Sequence, residues 1–243
     1  MVKKSLKTLI KNFLRSRDYF ITYVQPSILT GFELEVDLQR VVRNEAPVVI
    51  DVGANEGQTI AMMLRNFKKP RIFSFEPSPQ TYHHLQQMEF GPAVTLFNMA
   101  LGAHSGSLLF HEYERSDLSS ALEITTDKNN PFCGVRKLES IEVPVSTLDA
   151  TVSNEKITTI DLLKIDTQGF DLEVLRGADK SLAAGLVKHV LVELNYSRLY
   201  EGQASAAAIH AFLSDRGFAV VDYYEKHRIG PALAWCTALF CRE

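Results

Sequence analysis

Val48-Val49-Ile50-Asp51-Val52-Gly53-Ala54-Asn55-Glu56-Gly57 is the stretch from which the fold is read. An apolar run, Val48–Val52, enters a loop with glycines at 53 and 57, and the apolar spacing of Thr59–Phe67 then fits a helix. Strand, glycine turn and helix make the opening unit of a parallel α/β sheet. Ligands of such sheets bind at the carboxyl ends of the strands, where the strand order reverses. Gly53 and Gly57 allow a tight turn and let a ligand approach the backbone without meeting a Cβ.

The loop differs from a dinucleotide fingerprint, which needs three glycines and a pyrophosphate over the helix N-terminus. Here two glycines stand, and Asp51 and Glu56 set negative charge where the pyrophosphate would rest. A ligand with an ammonium and a sulfonium suits this loop better than a nicotinamide cofactor. Asp51, Gly53, Asn55, Glu56 and Gly57 are the candidates for holding it. Glu76 ends the next apolar run, Ile72–Glu76, where a carboxylate accepts hydrogen bonds from both ribose hydroxyls. Pro77 follows it. Asn98-Met99-Ala100-Leu101-Gly102 ends the third run and sets Asn98, Ala100 and Leu101 beside a nucleobase, with Leu101 or Met99 packing on the ring.

Further strands are expected at Val94–Met99, Ile160–Ile165 and Val190–Leu194, with helices at Pro79–Met88, Leu172–Ala184 and Ala204–Arg216. Continuous apolar strands alternating with helices indicate a parallel sheet covered on both faces. Between the third and fourth strands, Ser107–Tyr113 and Ile141–Val145 alternate like extra strands around a polar stretch, 114–137, long enough to suggest a functional insertion. Two late strands, Phe218–Tyr224 and Ala234–Cys241, read as an antiparallel pair closing the sheet.

The chain of 243 residues divides into an N-terminal helical extension, 1–46, and one α/β domain, 47–243. In the extension, Leu6, Leu9, Ile10, Phe13 and Leu14 form an apolar stripe among lysines and arginines. That stripe suits packing on the domain or on a second subunit, making a homo-oligomer, or else peripheral contact with a membrane or partner protein. With 26 Lys+Arg against 29 Asp+Glu there is no global field for a polyanion, so nucleic acid is not the expected partner. Cys133, Cys236 and Cys241 show no metal-ligand spacing and fit reduced thiols in a cytoplasmic protein, at most peripheral at the inner membrane face.

With these motifs in place the chain resembles the FkbM-type methyltransferases, which use S-adenosylmethionine. The likeness is carried by Ile50–Gly57, Phe75-Glu76-Pro77, Asn98–Gly102, Val143-Pro144-Val145-Ser146-Thr147-Leu148-Asp149 and Leu163-Lys164-Ile165-Asp166-Thr167-Gln168-Gly169-Phe170-Asp171, and spans about 47–222. It implies a Rossmann-like, doubly wound sheet of seven strands with an antiparallel last strand, and O-methylation of a sugar, glycan or secondary metabolite, as in polysaccharide biosynthesis. One departure stands out: Gln168 occupies a place where the family commonly has Glu.

Polar residues at the end of a buried central strand are costly unless they are paired or face a site. Asp166 is expected to orient the methionine amine or to take the acceptor's proton, with Glu193 second and His111 third as the base. The alternative is a Lys164–Asp171 ion pair capping the next helix. Asp166, Glu193 and Asn195 form a weak oxygen-ligand set for a divalent metal, left open. Ser119, Ser120, Gln168, Asn195 and Tyr196 are candidate acceptor contacts, and Tyr200 and His227 candidate pocket walls. Two other classes remain: a nucleoside- or NAD-binding oxidoreductase, and a non-catalytic methyltransferase-like scaffold.

Overall fold

The computed structural model describes residues 31–242, together with positions 10, 13, 14 and 29. The basic amphipathic stripe therefore lies outside the described residues, apart from Ile10, Phe13 and Leu14, which are helical. In chain order the elements are α1 (Leu34–Val41), β1 (Val48–Val52), α2 (Gln58–Asn66), β2 (Arg71–Phe75), α3 (Pro79–Gln87), β3 (Val94–Phe97), β4 (Ala100–Leu101), β5 (Gly106–Tyr113) and β6 (Lys137–Ser146). They continue with α4 (Leu148–Asn154), β7 (Leu162–Ile165), α5 (Asp171–Arg176), α6 (Asp179–Ala183), β8 (His189–Asn195), α7 (Ala206–Ser214), β9 (Phe218–Ile229) and β10 (Ala232–Arg242).

Seven strands form one sheet in the order β3-β2-β1-β7-β8-β10-β9. Strands from β3 to β8 pair in parallel, while β10, the last in the chain, runs antiparallel between β8 and β9. The order reverses between β1 and β7, so the crevice at their carboxyl ends is the expected ligand position. Alternate residues of each strand feed two cores. Ile50, Val52, Phe73, Leu163 and Val190 pack with Leu148, Val174, Ile209 and Leu213 on one face. Val49, Ile72, Leu162 and Leu191 pack with Leu38, Ile60, Met63 and Leu85 on the other. Leu38 and Val42 belong to that second core, so the folded unit begins before residue 47.

Strand register gathers the polar residues of the sheet. Asp51 lies opposite Ser74 on one side and Lys164 on the other, and Glu193 lies opposite Thr237. Parallel neighbours in register share a face, so polar side chains cluster near the carboxyl end of an otherwise apolar sheet face.

The helix expected over Leu172–Ala184 is two helices, α5 and α6. The break falls at Gly177, where a Cβ would stand 2.0 Å from the Gly102 carbonyl oxygen and where the Gly177 carbonyl accepts from Asp149 N–H. The Asp149 carboxylate then accepts from Lys180 and Ser181 N–H and caps α6. α3 starts as its sequence indicates, with Ser78 Oγ accepting from Thr81 N–H and proline at the first turn.

The insertion is a second sheet, β4-β6-β5. Its polar loop folds over the cleft and is fastened to the segment after β8. Thr125 N–H donates to Leu199 O, Glu201 N–H to Glu123 O, and the Asn130 amide to Leu199 O.

Candidate functional site

The crevice at the order reversal opens into a cavity of about 750 Å³. Its inner half is built by the loops after β1 and β2 and the segment from Met99 to Leu101, and its outer half by β8, β10, β9 and the insertion.

The glycine turn is closed by β2: Gly53 and Ala54 N–H both donate to Phe75 O at 3.0 Å. Gly53 has φ +82°, and a Cβ there would lie 2.0 Å from Asp166 O, so only glycine lets β1 and β7 approach at this point. Gly57 has a different use. Its φ is +80°, but a Cβ would meet Phe90 and Leu85, so it seats the turn against α3 instead of admitting a ligand.

Asp51 is fully buried and does not line the cleft. It accepts from Ser74 Oγ at 2.6 Å and stands 3.2 Å from Lys164 Nζ. Lys164 donates to Gly53 O at 2.7 Å and lies 3.9 Å from Asp166. Its charge is held above the usual ammonium range by Asp51 and Asp166, against the opposing pull of burial. Lys164 therefore pairs with Asp51, and in place of the alternative Lys164–Asp171 pair there is a strut that fixes the glycine turn.

Glu76 and Asn55 meet at the inner half. Glu76 Oε2 accepts from Asn55 N–H at 2.8 Å and Oε1 from Ser78 N–H at 2.9 Å. Burial pushes this carboxyl up to about 7 against those two hydrogen bonds and Lys164. Asn55, at φ +45°, holds a buried Oδ1 with no partner. Pro77, Met99, Ala100 and Leu101 line the adjoining wall. Asn98 is behind it, its amide donating to Glu76 O and Pro77 O, so it shapes the loop without lining the cleft. Glu56 is exposed and faces a separate shallow depression with Ser78 and Glu112, away from the main cavity.

Asp166 is at the centre, its side chain 41% exposed into the cleft. Gln168, at φ +54°, donates from its amide to Asp166 Oδ1 at 2.8 Å and accepts from Tyr200 O–H at 2.9 Å. Tyr200 is fully buried and so acts behind the wall, not in it. Asp171 holds the same loop: its carboxylate accepts from Thr167 N–H, Thr167 Oγ1 and Gly169 N–H. Burial and Asp166 raise its carboxyl to about 6 despite those bonds. Glu193 lines the cleft beyond Asp166, with its carboxyl raised well above the carboxylate range by burial, then by Asp166 and Asp171.

Several expected contacts do not reach the cavity. His111 follows Phe110, which lines the cleft, on the opposite face of β5; its Nδ1 meets Ser140 Oγ at 2.8 Å. Ser120 is buried and donates to Thr167 O and Gln168 O, locking the insertion to the loop after β7. Asn195 is buried behind Glu193, donating to its Oε1 and leaving its own Oδ1 without a partner. Tyr196 is exposed outside the lining. Ser119 does line the cleft, and its Oγ accepts from Tyr113 N–H. Among the described residues no group of three His, Cys, Asp or Glu side chains is arranged to hold a metal. The outer wall holds residues that sequence reasoning passed over: Arg115, Phe132, Glu225 and Trp235, beside His227.

Comparison with known proteins gives the family. The model of the methyltransferase FkbM domain matches residues 51–220. The chain belongs to the FkbM methyltransferase family. The 2-O-methyltransferase NoeI of Sinorhizobium fredii is 28% identical over 171 residues, covering 67% of this chain and 69% of that protein. The hexuronic acid methyltransferase AglP of Haloferax volcanii is 28% identical over 164 residues, covering 66% and 62%. The methyltransferase domain of METTL16 superposes with a TM-score of 0.50 at 12% identity, over 97% of this chain and 78% of that one, which concerns the fold alone.

This FkbM enzyme is an S-adenosylmethionine-dependent methyltransferase, and its residues fit that cofactor. Each Glu76 oxygen has one backbone partner and a free lone pair for a ribose hydroxyl. Asn55 Oδ1 needs a donor, and Met99, Leu101 and Pro77 offer an apolar slot for a base. Asp166 and Glu76 supply the negative side that a sulfonium and ammonium require.

Proposed function

We propose that this enzyme transfers a methyl group from S-adenosylmethionine to a hydroxyl of a sugar or glycan, with Asp166 as general base. The observation that carries this is the placement of Asp166, open to the cleft between the glycine turn and the outer wall and gripped from behind by Gln168. The names of NoeI and AglP, one a 2-O-methyltransferase and the other acting on a hexuronic acid, support oxygen as the acceptor atom and sugar as its class. The cytoplasm is the compartment we assign, in keeping with three free thiols.

Bound S-adenosylmethionine supplies an electrophilic methyl group on a positively charged sulfur. The protein supplies alignment and a proton acceptor. A neutral hydroxyl is a weak nucleophile, and a positioned carboxylate contributes roughly 10²–10⁴-fold. Gln168 fixes Asp166 Oδ1, which leaves Oδ2 to take the hydroxyl proton. Lys164, 3.9 Å from Asp166, keeps charge balanced beneath it. Glu193 holds its own proton to well above the usual range, because burial is reinforced by Asp166 and Asp171 nearby. The protonated, hydrogen-bonding form is thereby favoured on the acceptor side.

Methyl transfer to a panel of sugars tests this directly. Asp166→Asn is expected to lose about a hundredfold or more in kcat while S-adenosylhomocysteine affinity stays within about threefold. Glu193→Gln, which copies the protonated carboxyl, is expected to stay within about tenfold of wild type. Full turnover by Asp166→Asn would remove the base assignment.

A further inference from the structure

The outer half of the cleft has no role yet. Its wall is aromatic. Trp235 and His227 are register partners across β10 and β9, and their rings stack at 4.6 Å with an interplanar angle of 10°. Phe132, from the insertion, leans on the indole at 5.5 Å and 53°. The pairing of β9 with β10 shifts register on both sides of Trp235, and Glu225, in the longer strand segment, has φ +48°. Bulges of this kind re-aim side chains beside active sites, and here Glu225, His227, Trp235 and Thr237 all face the cavity. The platform is on the acceptor side: Trp235 lies opposite Asn195 and Thr237 opposite Glu193, at the carboxyl end of β8.

The cleft's charges constrain what can lie there. Among the described residues, the Lys and Arg side chains that line it are already paired. Arg65 is 2.5 Å from Glu35, Arg115 is 2.6 Å from Asp117, and Lys164 is 3.2 Å from Asp51. Asp166 and Glu225 add acidic groups on the same side. An acceptor carboxylate or phosphate would share Arg115 with Asp117 and stand beside that carboxylate as well as Asp166 and Glu225. Unpaired like charges in a partly closed site discriminate strongly against such a ligand.

We propose that the outer cleft is a subsite for an uncharged sugar ring, whose apolar C–H face lies on the Trp235 indole, and that it rejects acidic sugars. This rests on the sugar reading above. Thr237, Glu193 and Ser119 offer the hydroxyl partners, and Asp166 stands where the ring's hydroxyl meets the cofactor half. A hydrophobic platform with a few convergent polar groups is the ordinary makeup of a small-molecule site.

Trp235 is the only tryptophan in the chain, so its fluorescence reports ring stacking without a label. Methyl glycosides of neutral hexoses, the matching hexuronates and hexose phosphates are titrated into the protein saturated with S-adenosylhomocysteine. The same compounds are assayed as acceptors of labelled methyl from S-adenosylmethionine. Neutral glycosides are expected to change the emission and to show kcat/KM at least about tenfold above the hexuronates and phosphates. Trp235→Ala is expected to raise acceptor KM at least about tenfold with calorimetric affinity for S-adenosylhomocysteine unchanged, and Trp235→Phe to restore most of the loss. Hexuronates methylated as well as neutral sugars, or an unchanged KM in Trp235→Ala, would overturn the subsite and leave the sugar reading intact. No methylation of any sugar by protein that binds S-adenosylhomocysteine would overturn both.

Discussion

At the scale of single residues, the site depends on carboxyl groups kept in different states by their surroundings. Glu76 is the clearest. Its carboxyl is raised from 4.5 to about 7 by burial, and the ribose contact we propose for it uses the ionised form. A group raised on folding contributes stability that is present below about pH 4.5 and lost as pH climbs through about 7. Cofactor binding has the opposite slope, because protons compete with the ribose hydroxyls. The Kd of S-adenosylhomocysteine is expected to be about tenfold weaker at about pH 6 than at about pH 8, from a single proton near 7. Calorimetry across that range checks it. A pH-independent Kd would mean that Glu76 does not meet the ribose as a carboxylate.

At the scale of elements, the loop after β7 has the most tightly specified conformation. Asp171, at the start of α5, accepts two backbone N–H groups and a hydroxyl from 167–169. Asp171→Ala leaves those buried donors without acceptors, at about 1–3 kcal/mol each. A loss of about 3 kcal/mol in urea unfolding is expected, together with a fall in turnover as Gln168 and Asp166 lose register. Stability within about 0.5 kcal/mol of wild type would show that the loop is held elsewhere.

The elements also show what was legible in the sequence. β1, β2 and α3 are found within a residue or two of their expected bounds, because continuous apolar runs and a Ser-Pro start state their structure locally. The break at Gly177 was not legible, since it depends on the Gly102 carbonyl, remote in sequence. Site residues divide the same way. Gly53, Glu76 and Asp166 were readable from a turn and two strand ends. Asp51 and Asn98 are expected from the sequence to hold the cofactor, but they hold the loops that line the cleft without lining it. The stacked pair Trp235 and His227 depends on bulges in a late hairpin, for which alternation along the strands gives no signal.

For the whole molecule, the sheet's order reversal between β1 and β7 opens one cavity, whose proposed cofactor half and acceptor half lie on either side of Asp166. The insertion lines one side of the cavity, and Ser120 pins it to the loop after β7. The division depends on β1 and β7 meeting at Gly53, where no Cβ fits.

Calorimetric titration of S-adenosylhomocysteine into the wild-type protein and Gly53→Ala, with NAD as the control ligand, tests this arrangement most directly. Micromolar binding by wild type, none detectable by a folded Gly53→Ala, and no response to NAD is the expected result. Binding of NAD in place of S-adenosylhomocysteine, or equal S-adenosylhomocysteine affinity in the two proteins, would contradict the assignment of this crevice to the methyl donor.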